Sequence, residues 1–503
     1  MPLEEQNKRL SAQDASFLYM EREETPLHIG SIAVFEGEVS FERVIDNISS
    51  KLHLIPRYQQ RVVAAPFNIG HPTWEWDPDF DLRRHVKRVA IDAPGTDAQL
   101  MALGAKLFEG MLDRGKPLWE IYMIEGLEGS RTAMLSKVHH CLVDGVSGIE
   151  LLMILLDVSP DPASPLPPPA VEARPPIPPA TTRFIEAIFD NLTAELERWS
   201  DLQKNAVDSI VTGESRTRTA LRSLDAAQPY LRNPVVRAPF NKPLTGERRL
   251  ACSEFSFAEI RGIRAACGGT VNDVVLTVLS GALGRYLESH GEDTKDRAMR
   301  ILAPVNVRRE DERGNLGNRV SMLLIEVPVG LRDPVARLKA ITERTETLKR
   351  KNVAAGTDII SEFLSGAPPI LQSLAGLMPQ PPNNLANMVC TNVPGPMIPL
   401  YSVGHRMLAH YPVVPLGWEM GVGCGVTSYN QKLYFGLMAD PNAAADVGRL
   451  KEYLDQAFVE LRSAAGVARS DLPQLGAVPQ PAGGRRRRAA APVRGEAMAA
   501  DAS

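Results

Sequence analysis

Between Ser159 and Ala180 the chain reads SPDPASPLPPPAVEARPPIPPA, with ten prolines. Proline fixes φ and has no N–H to donate, so this stretch can form neither a helix interior nor a central strand and reads as an exposed, extended connector. It divides the sequence into parts that must fold on either side of it. At 503 residues the chain is also too long for one hydrophobic core, so two domains are expected. The expected organisation is a domain over residues 1–158, a connector with a long helix over 159–249, a second domain over 250–465, and a disordered tail over 466–503 rich in Pro, Ala, Gly and Arg.

Both folded parts read as α/β. GSIAVFEG (30–37) is strand-like, FERVIDNISSKL (41–52) helix-like, and RTAMLSKVHH (131–140) has the pattern of a partly buried strand. The second part offers strands at RILAPVNVR (300–308), RVSMLLIEVPV (319–329) and KLYFGLMA (432–439). Between them, Phe184, Ile188, Leu192, Leu196, Trp199, Ala206 and Ile210 keep helical spacing over Phe184 to Val211, predicting an amphipathic helix. Its polar face mixes Glu195, Glu197, Arg198 and Lys204, which favours packing on the domain over a membrane interface, where a basic face is usual.

Composition excludes several classes. A formal net charge of -4 gives no reason to expect nucleic acid as a partner. The cysteines, Cys141, Cys252, Cys267, Cys390 and Cys424, form no C-x-x-C pair, so neither a disulfide framework nor a zinc-thiolate site is suggested and a reducing cytoplasm fits. The N-terminus has no signal-peptide core, and no apolar run reaches the roughly 18 residues of a membrane helix. The run Arg485 to Arg488 reads as a solvated tail or a contact for anionic lipid.

The stretch KVHHCLVDGVSG (137–148) carries candidate chemistry. On a strand, Ala133, Leu135, Lys137 and His139 face one side while Met134, Ser136, Val138 and His140 face the other. The two histidines therefore cannot share one task, and with no third ligand nearby a zinc site is disfavoured. One is expected to be structural and one functional, since a neutral imidazole is a competent base near physiological pH. Asp144 and Gly145 lie in the following turn, where Asp144 either fixes the loop carrying His140 or simply caps backbone. Ser147 and Glu150 then form an S-x-x-E capping box for the helix IELLMILLDV.

HHCLVDG matches the HHxxxDG motif of CoA-dependent acyltransferases. With LSAQDASFLYMEREETPLHIGSIAVFEG (10–37), PLWE (117–120), GGTVNDVVLTVLSGAL (268–283), GNRVSMLLIEVPV (317–329) and TNVPGP (391–396), the chain resembles bacterial wax ester synthase/diacylglycerol acyltransferases. The resemblance implies two chloramphenicol-acetyltransferase-like domains meeting at a tunnel, with acyl-CoA and a lipid alcohol as substrates and neither metal nor organic cofactor. It implies His140 as the base, His139 as its structural neighbour, and Asp144 as the residue that maintains the loop.

Thr270 and Asp273 give a capping pattern, so Asp273 either complements the helix dipole alone or, with Asn272 as oxyanion donor, belongs to the site. Pro117, Leu118 and Trp119 line the acyl pocket or are core, and Gly145 lies on the substrate side of the motif. The superfamily's late DFGWG element is represented only by YFGLMAD (434–440). Diacylglycerol is the expected acceptor, giving triacylglycerol, with a fatty alcohol giving wax ester as the alternative. A non-catalytic lipid-binding relative and a condensation enzyme acting on carrier thioesters are further readings. Peripheral contact with membrane or lipid droplets is expected.

Overall fold

The computed structural model describes residues 8–142, 145–161, 176–189, 235–306, 320–350, 369–378, 383, 385–470, 472 and 474–476. Asp144, residues 190–211 of the helix expected over Phe184 to Val211, most of the proline segment and the tail beyond 476 lie outside the described residues.

In the first half the order is α1 (Ala12–Met20), β1 (His28–Glu36), α2 (Phe41–Lys51), β2 (Gln60–Val63), β3 (Thr73–Trp76), α3 (Leu82–His85), β4 (Val86–Ala90), α4 (Asp97–Glu109), β5 (Trp119–Leu127), β6 (Arg131–His139), α5 (Gly145–Leu155) and a helix α6 over residues 180–189. The second half supplies β7 (Arg249–Ser256), α7 (Phe257–Cys267), α8 (Val271–Ser289), β8 (Ala298–Asn306), β9 (Val320–Pro328), α9 (Pro334–Arg350) and α10 (Pro369–Leu377). Then follow β10 (Met388–Val393), β11 (Tyr401–Ser402), β12 (His405–Val413), β13 (Val422–Tyr429), β14 (Lys432–Ala439), α11 (Pro441–Ala444) and α12 (Val447–Ala464).

Two six-stranded sheets result, one ordered β11-β12-β1-β6-β5-β4 and the other β7-β14-β13-β10-β8-β9. The α/β class expected from sequence is the class observed. The boundary at residue 250 describes the connectivity incompletely, because β11 and β12, late in the chain, belong to the first sheet. β12 pairs antiparallel with β1 and so covers an edge that would otherwise expose unpaired N–H and C=O groups.

The return of β12 brings the sheets together. The chain leaves it through Pro412, Val413 and Val414 and crosses a stripe of glycines on β13 and β14. A Cβ at Gly436 would lie 1.9 Å from the Pro412 carbonyl oxygen, and one at Gly425 would lie 2.9 Å from a Val414 methyl. YFGLMAD thus has a physical role here: its glycine admits the crossing strand. Its Asp440 is fully buried, accepting from Thr245 N–H at 2.7 Å and pairing with Arg248 at 3.4 Å. Arg248 also donates to the Glu24 carbonyl at 2.9 Å, tying the second sheet to the segment after α1.

Helix α8 fills the second core, with Leu276, Leu279, Ala282, Leu283 and Leu287 fully buried. Its start is the capping box predicted from Thr270 and Asp273. The box expected at Ser147 and Glu150 does not form the start of α5, which begins at Gly145 and takes Ser147 into its first turns. The cause is local: nothing in a helix prevents a Ser from lying inside it, and start signals locate ends only to within a few residues. No single described helix is long and apolar enough to cross a membrane.

Replacing Gly436 with Ala puts a methyl against a carbonyl oxygen that a strand on each side holds in place. Equilibrium urea unfolding is expected to show a loss of about 3 kcal/mol, the upper range for overpacking.

Candidate active site

Strand β6 runs through the middle of the first sheet with β1 and β5 on its flanks. Its predicted alternation is observed: Ala133, Leu135, Lys137 and His139 are all buried beneath α4. Lys137 ends this face by donating to the carbonyls of Leu107, at 2.9 Å, and Gly110. These are end-of-helix carbonyls of α4, which a cation satisfies well. Burial pushes the Lys137 ammonium down to about 8.

The register places His28 of β1 opposite His139 of β6. Between their rings stands the Glu21 carboxylate, delivered by the C-terminal end of α1, with one oxygen 3.3 Å from His28 Nε2 and the other 3.3 Å from His139 Nε2. Leu27 N–H donates to it at 3.1 Å and Arg114 Nη2 at 2.9 Å. The Cys141 backbone N–H donates to His139 Nδ1 at 3.1 Å. In its neutral form His139 therefore carries its proton on Nε2, aimed at Glu21. Nδ1 is thus hydrogen-bonded, Nε2 lies in ion-pair range of Glu21, and the residue is fully buried.

Burial alone would raise the Glu21 carboxyl. The hydrogen bonds of His139 and His28 outweigh it and hold that carboxyl well below the usual carboxylate range. Burial pushes His28 down to about 4 against the pull of Glu21, so His28 is neutral at pH 7. Arg114 sets a positive charge 2.9 Å from the carboxylate.

His140 is built differently. The strand ends at His139, and the His140 backbone N–H donates to the Leu27 carbonyl at 2.9 Å. Its ring is half-buried and stacks on Phe17 of α1, with centroids 4.0 Å apart and planes inclined by 17°. The adjacent histidines thus have separate surroundings, as alternation required. Helix α1 supplies the partner of each: a carboxylate for one and an aromatic face for the other.

Trp119 is buried on the side of the sheet opposite His139. Its Nε1 donates to the Tyr58 carbonyl at 2.7 Å, and its ring stacks on His85 at 4.6 Å. With Ile48, Ile121, Val138, Leu151 and Leu155 it lines an apolar cavity of about 30 Å³ between α2, α5 and the sheet. That space is too small for a fatty acyl chain. Pro117 and Leu118 are buried beside it in sequence, and Leu118 packs with Leu18, Cys141 and Leu112 in a smaller core of its own.

Asn272 and Asp273 stand in the first turn of α8, in the second half. Asp273 Oδ2 accepts from Thr270 N–H and hydroxyl, both at 2.8 Å, and Oδ1 accepts from the Thr345 hydroxyl at 2.8 Å. Its hydrogen bonds pin α8 to α9. Asn272 is half-buried. The structure thus groups His139 and His140 on one loop and the Asn272–Asp273 pair on a separate helix start. The TNVPGP turn leaves β10 and seats Gly395 against β13, where its N–H donates to Ser428 Oγ at 3.0 Å.

Two comparisons decide the family. The wax ester synthase/diacylglycerol acyltransferase catalytic domain matches residues 10–275, and the C-terminal domain of the same group matches residues 316–462. The chain belongs to the wax ester synthase/diacylglycerol acyltransferase family. A probable diacylglycerol O-acyltransferase of Mycobacterium tuberculosis is 30% identical over 458 residues, which is 90% of this chain and 95% of the relative. A second one from that organism is 28% identical over 465 residues, covering 90% of this chain and 98% of its own. Among solved structures, the wax ester synthase/diacylglycerol acyltransferase of Marinobacter aquaeolei VT8 superposes with a TM-score of 0.63 at 25% identity, over 91% of this chain and 100% of that one. The first condensation domain of the calcium-dependent antibiotic synthetase shares the fold, with a TM-score of 0.59 at 14% identity over 92% and 97%.

Sequence reasoning missed Glu21, Phe17, His28 and Arg114. All but Arg114 lie in the segment 10–37 that carried part of the resemblance, and only the register of β1 on β6 shows why they belong together. Glu21→Ala is expected to cost about 3 kcal/mol or more, because it strands Arg114 and two imidazoles without their shared partner. His28, and His410 which burial also pushes down to about 4, are held neutral in the folded state. Their contribution is complete above the unfolded histidine pKa of about 6.5 and is lost as pH falls toward 4, up to about 3 kcal/mol per ring. A thermal-melt series should fall over that window, and His28→Asn should flatten part of the fall.

Proposed function

We propose that this chain transfers a long-chain acyl group from acyl-CoA to the free hydroxyl of diacylglycerol, with His140 as general base. The observation that carries the reading is the division of the histidine pair: His139 is fully buried with Nδ1 accepting from Cys141 N–H and Nε2 3.3 Å from Glu21, while His140 stands just past the strand end with its ring stacked on Phe17. Stacking fixes the ring plane, and a base in a fixed orientation is what proton removal from a hydroxyl needs.

In the reaction the His140 imidazole takes the hydroxyl proton as that oxygen attacks the thioester carbonyl carbon. The tetrahedral intermediate then breaks its C–S bond. CoA leaves as thiolate and takes the proton from the imidazolium, so triacylglycerol and free CoA are formed and the histidine is regenerated. No metal or organic cofactor enters these steps. Asn272 is the proposed donor to the oxyanion of the intermediate, and Asp144 the residue that holds the loop after His140. Pro117, Leu118 and Trp119 wall the acyl side, and the small cavity beside Trp119 is the place where a chain would open its way. Gly145, the first residue of α5, allows close approach on the substrate side of the motif.

The names of the mycobacterial relatives favour diacylglycerol. The Marinobacter enzyme's name also includes wax ester synthesis, so a long-chain alcohol is the second acceptor. Both acceptors are lipids, and we place the working enzyme at the periphery of a cytoplasmic membrane or lipid inclusion.

Radiolabelled palmitoyl-CoA offered with diolein and with hexadecanol tests the reading, triacylglycerol being the expected main product. Formation of neither product would overturn it. His140→Ala should lower kcat/KM by about 10² to 10⁴ with an unchanged melting temperature. Full turnover by that variant would remove the base mechanism while leaving the reaction class intact.

A further inference from the structure

Helix α10 is inside out. On a helical projection Ile370, Leu371, Leu374, Leu377 and Met378 fall within one arc, and all are exposed, Leu377 to 80% and Met378 to 64%. The face turned to the protein carries Ser373 and Gly376 instead. A Cβ at Gly376 would lie 2.3 Å from the Tyr19 carbonyl oxygen, so a small residue lets α10 lie directly on α1. Arg22 locks the contact by donating to the Gly376 and Met378 carbonyls at 2.9 and 2.6 Å. An amphipathic helix held in this orientation presents apolar surface that water does not favour.

The neighbouring elements repeat the arrangement. Helix α6 buries Ala187 and exposes Ile185, Ile188 and Phe189. Between α6 and α10 the short turn Pro66–Asn68 projects Phe67, which is 81% exposed and contacts Phe184 edge-on with centroids 6.5 Å apart. Phe67 and Asn68 have φ of 56° and 51°. An aromatic residue in the left-handed region is strained, and such strain is retained where a side chain must be displayed. Met20, at the end of α1, is exposed on the same flank.

A cleft of about 350 Å³ opens between α1 and α10. Its walls include Tyr19, Arg22, Arg114 and Leu377, and it reaches Glu21, the partner of His139. The apolar surface is therefore continuous with a cleft that ends at Glu21.

We infer that the face formed by α10, α6, Phe67 and Met20 is a docking surface for a phospholipid-coated lipid phase, seated so that the cleft beside α1 opens onto it. The occupant follows from chemistry and continuity. Diacylglycerol is insoluble in water, so an enzyme using it must meet it at a lipid surface, and this face adjoins the cleft beside α1. The α10 arc has no charged residue, while Arg22, Arg114 and Arg183 stand at its margin, where headgroup phosphates would lie. Lys8 and Glu186 offset one another nearby, 3.9 Å apart. The inference rests on the acyltransferase reading for the choice of acceptor.

The test uses the full chain and vesicles of phosphatidylcholine and phosphatidylglycerol containing diolein. Phe67→Ser should float with vesicles about tenfold less well than the wild type and Leu371→Ser/Leu374→Ser about 100-fold less well, each lost side chain contributing about tenfold. Turnover of vesicle-borne diolein should fall in parallel, while turnover of a water-soluble short-chain alcohol with palmitoyl-CoA stays at the wild-type rate. Unchanged flotation overturns the inference. So does a lowered melting temperature, which would mean that the chain itself covers the face, or a dimer in light scattering that the substitutions dissociate. If the wild type floats but turns over neither acceptor, the docking surface stands and the acyltransferase reading fails.

Discussion

A carboxylate buried to 1% side-chain exposure cannot stay ionised without favourable neighbours, and Glu21 has four: the His28 and His139 rings, Arg114 and the Leu27 N–H. Each comes from a different stretch of chain, from β1, from β6, from the loop before β5, and from the turn after α1. The end of α1 is thereby fixed against the middle of the first sheet. Phe17, one turn earlier on that helix, is fixed with it, and the orientation of the His140 ring follows. The placement of the His140 ring thus depends on an ion cluster centred on another residue of the same helix.

The second constraint is the crossing at Gly425 and Gly436. A late strand, β12, pairs with an early one, β1, and then passes over the other sheet at a distance that only glycine allows. The first sheet is incomplete without strands from the second half of the chain, whereas the second sheet is built from that half alone. The β1 edge stays uncovered until β12 pairs with it, although the first half has its own buried core of Ile32, Leu135 and Ile124. In a chain with a proline-rich connector this crossing and the pairs made by Arg248 do much of the joining.

Most of this fold is legible in the residues. KLYFGLMA was read as a strand over 432–439, and the strand has those ends. The Thr270 capping box was readable because a cap is a local hydrogen bond within a few residues. Local reading failed at Ser147 for the same reason: the pattern was present, but the helix had already begun at Gly145. The opposite orientations of His139 and His140 were legible from period-two alternation alone. Glu21 was not, since a glutamate at the end of a short helix in YMEREE looks like its exposed neighbours Glu23 and Glu24 until the sheet register brings His28 and His139 around it. The membership of β11 and β12 in the first sheet was equally hidden, because a strand's periodicity reveals its faces and says nothing of its partner.

The same ambiguity applies to α10 and α6, where the sequence pattern is amphipathic and invites the ordinary reading that the apolar side is inward. What reverses it is Gly376. The closest approach of α10 to α1 requires a residue without a side chain, and that glycine lies opposite Leu371, Leu374 and Leu377, so packing the helix closely necessarily turns its leucines out. Helix α1 then sits between two environments. Phe17 and Glu21 reach the histidine pair, while the Tyr19 carbonyl and Arg22 hold α10. The contact between α10 and α1 is therefore one of backbone on backbone, with no side chain at Gly376 to take up a shift between the helix that holds the leucines and the helix that stacks on His140.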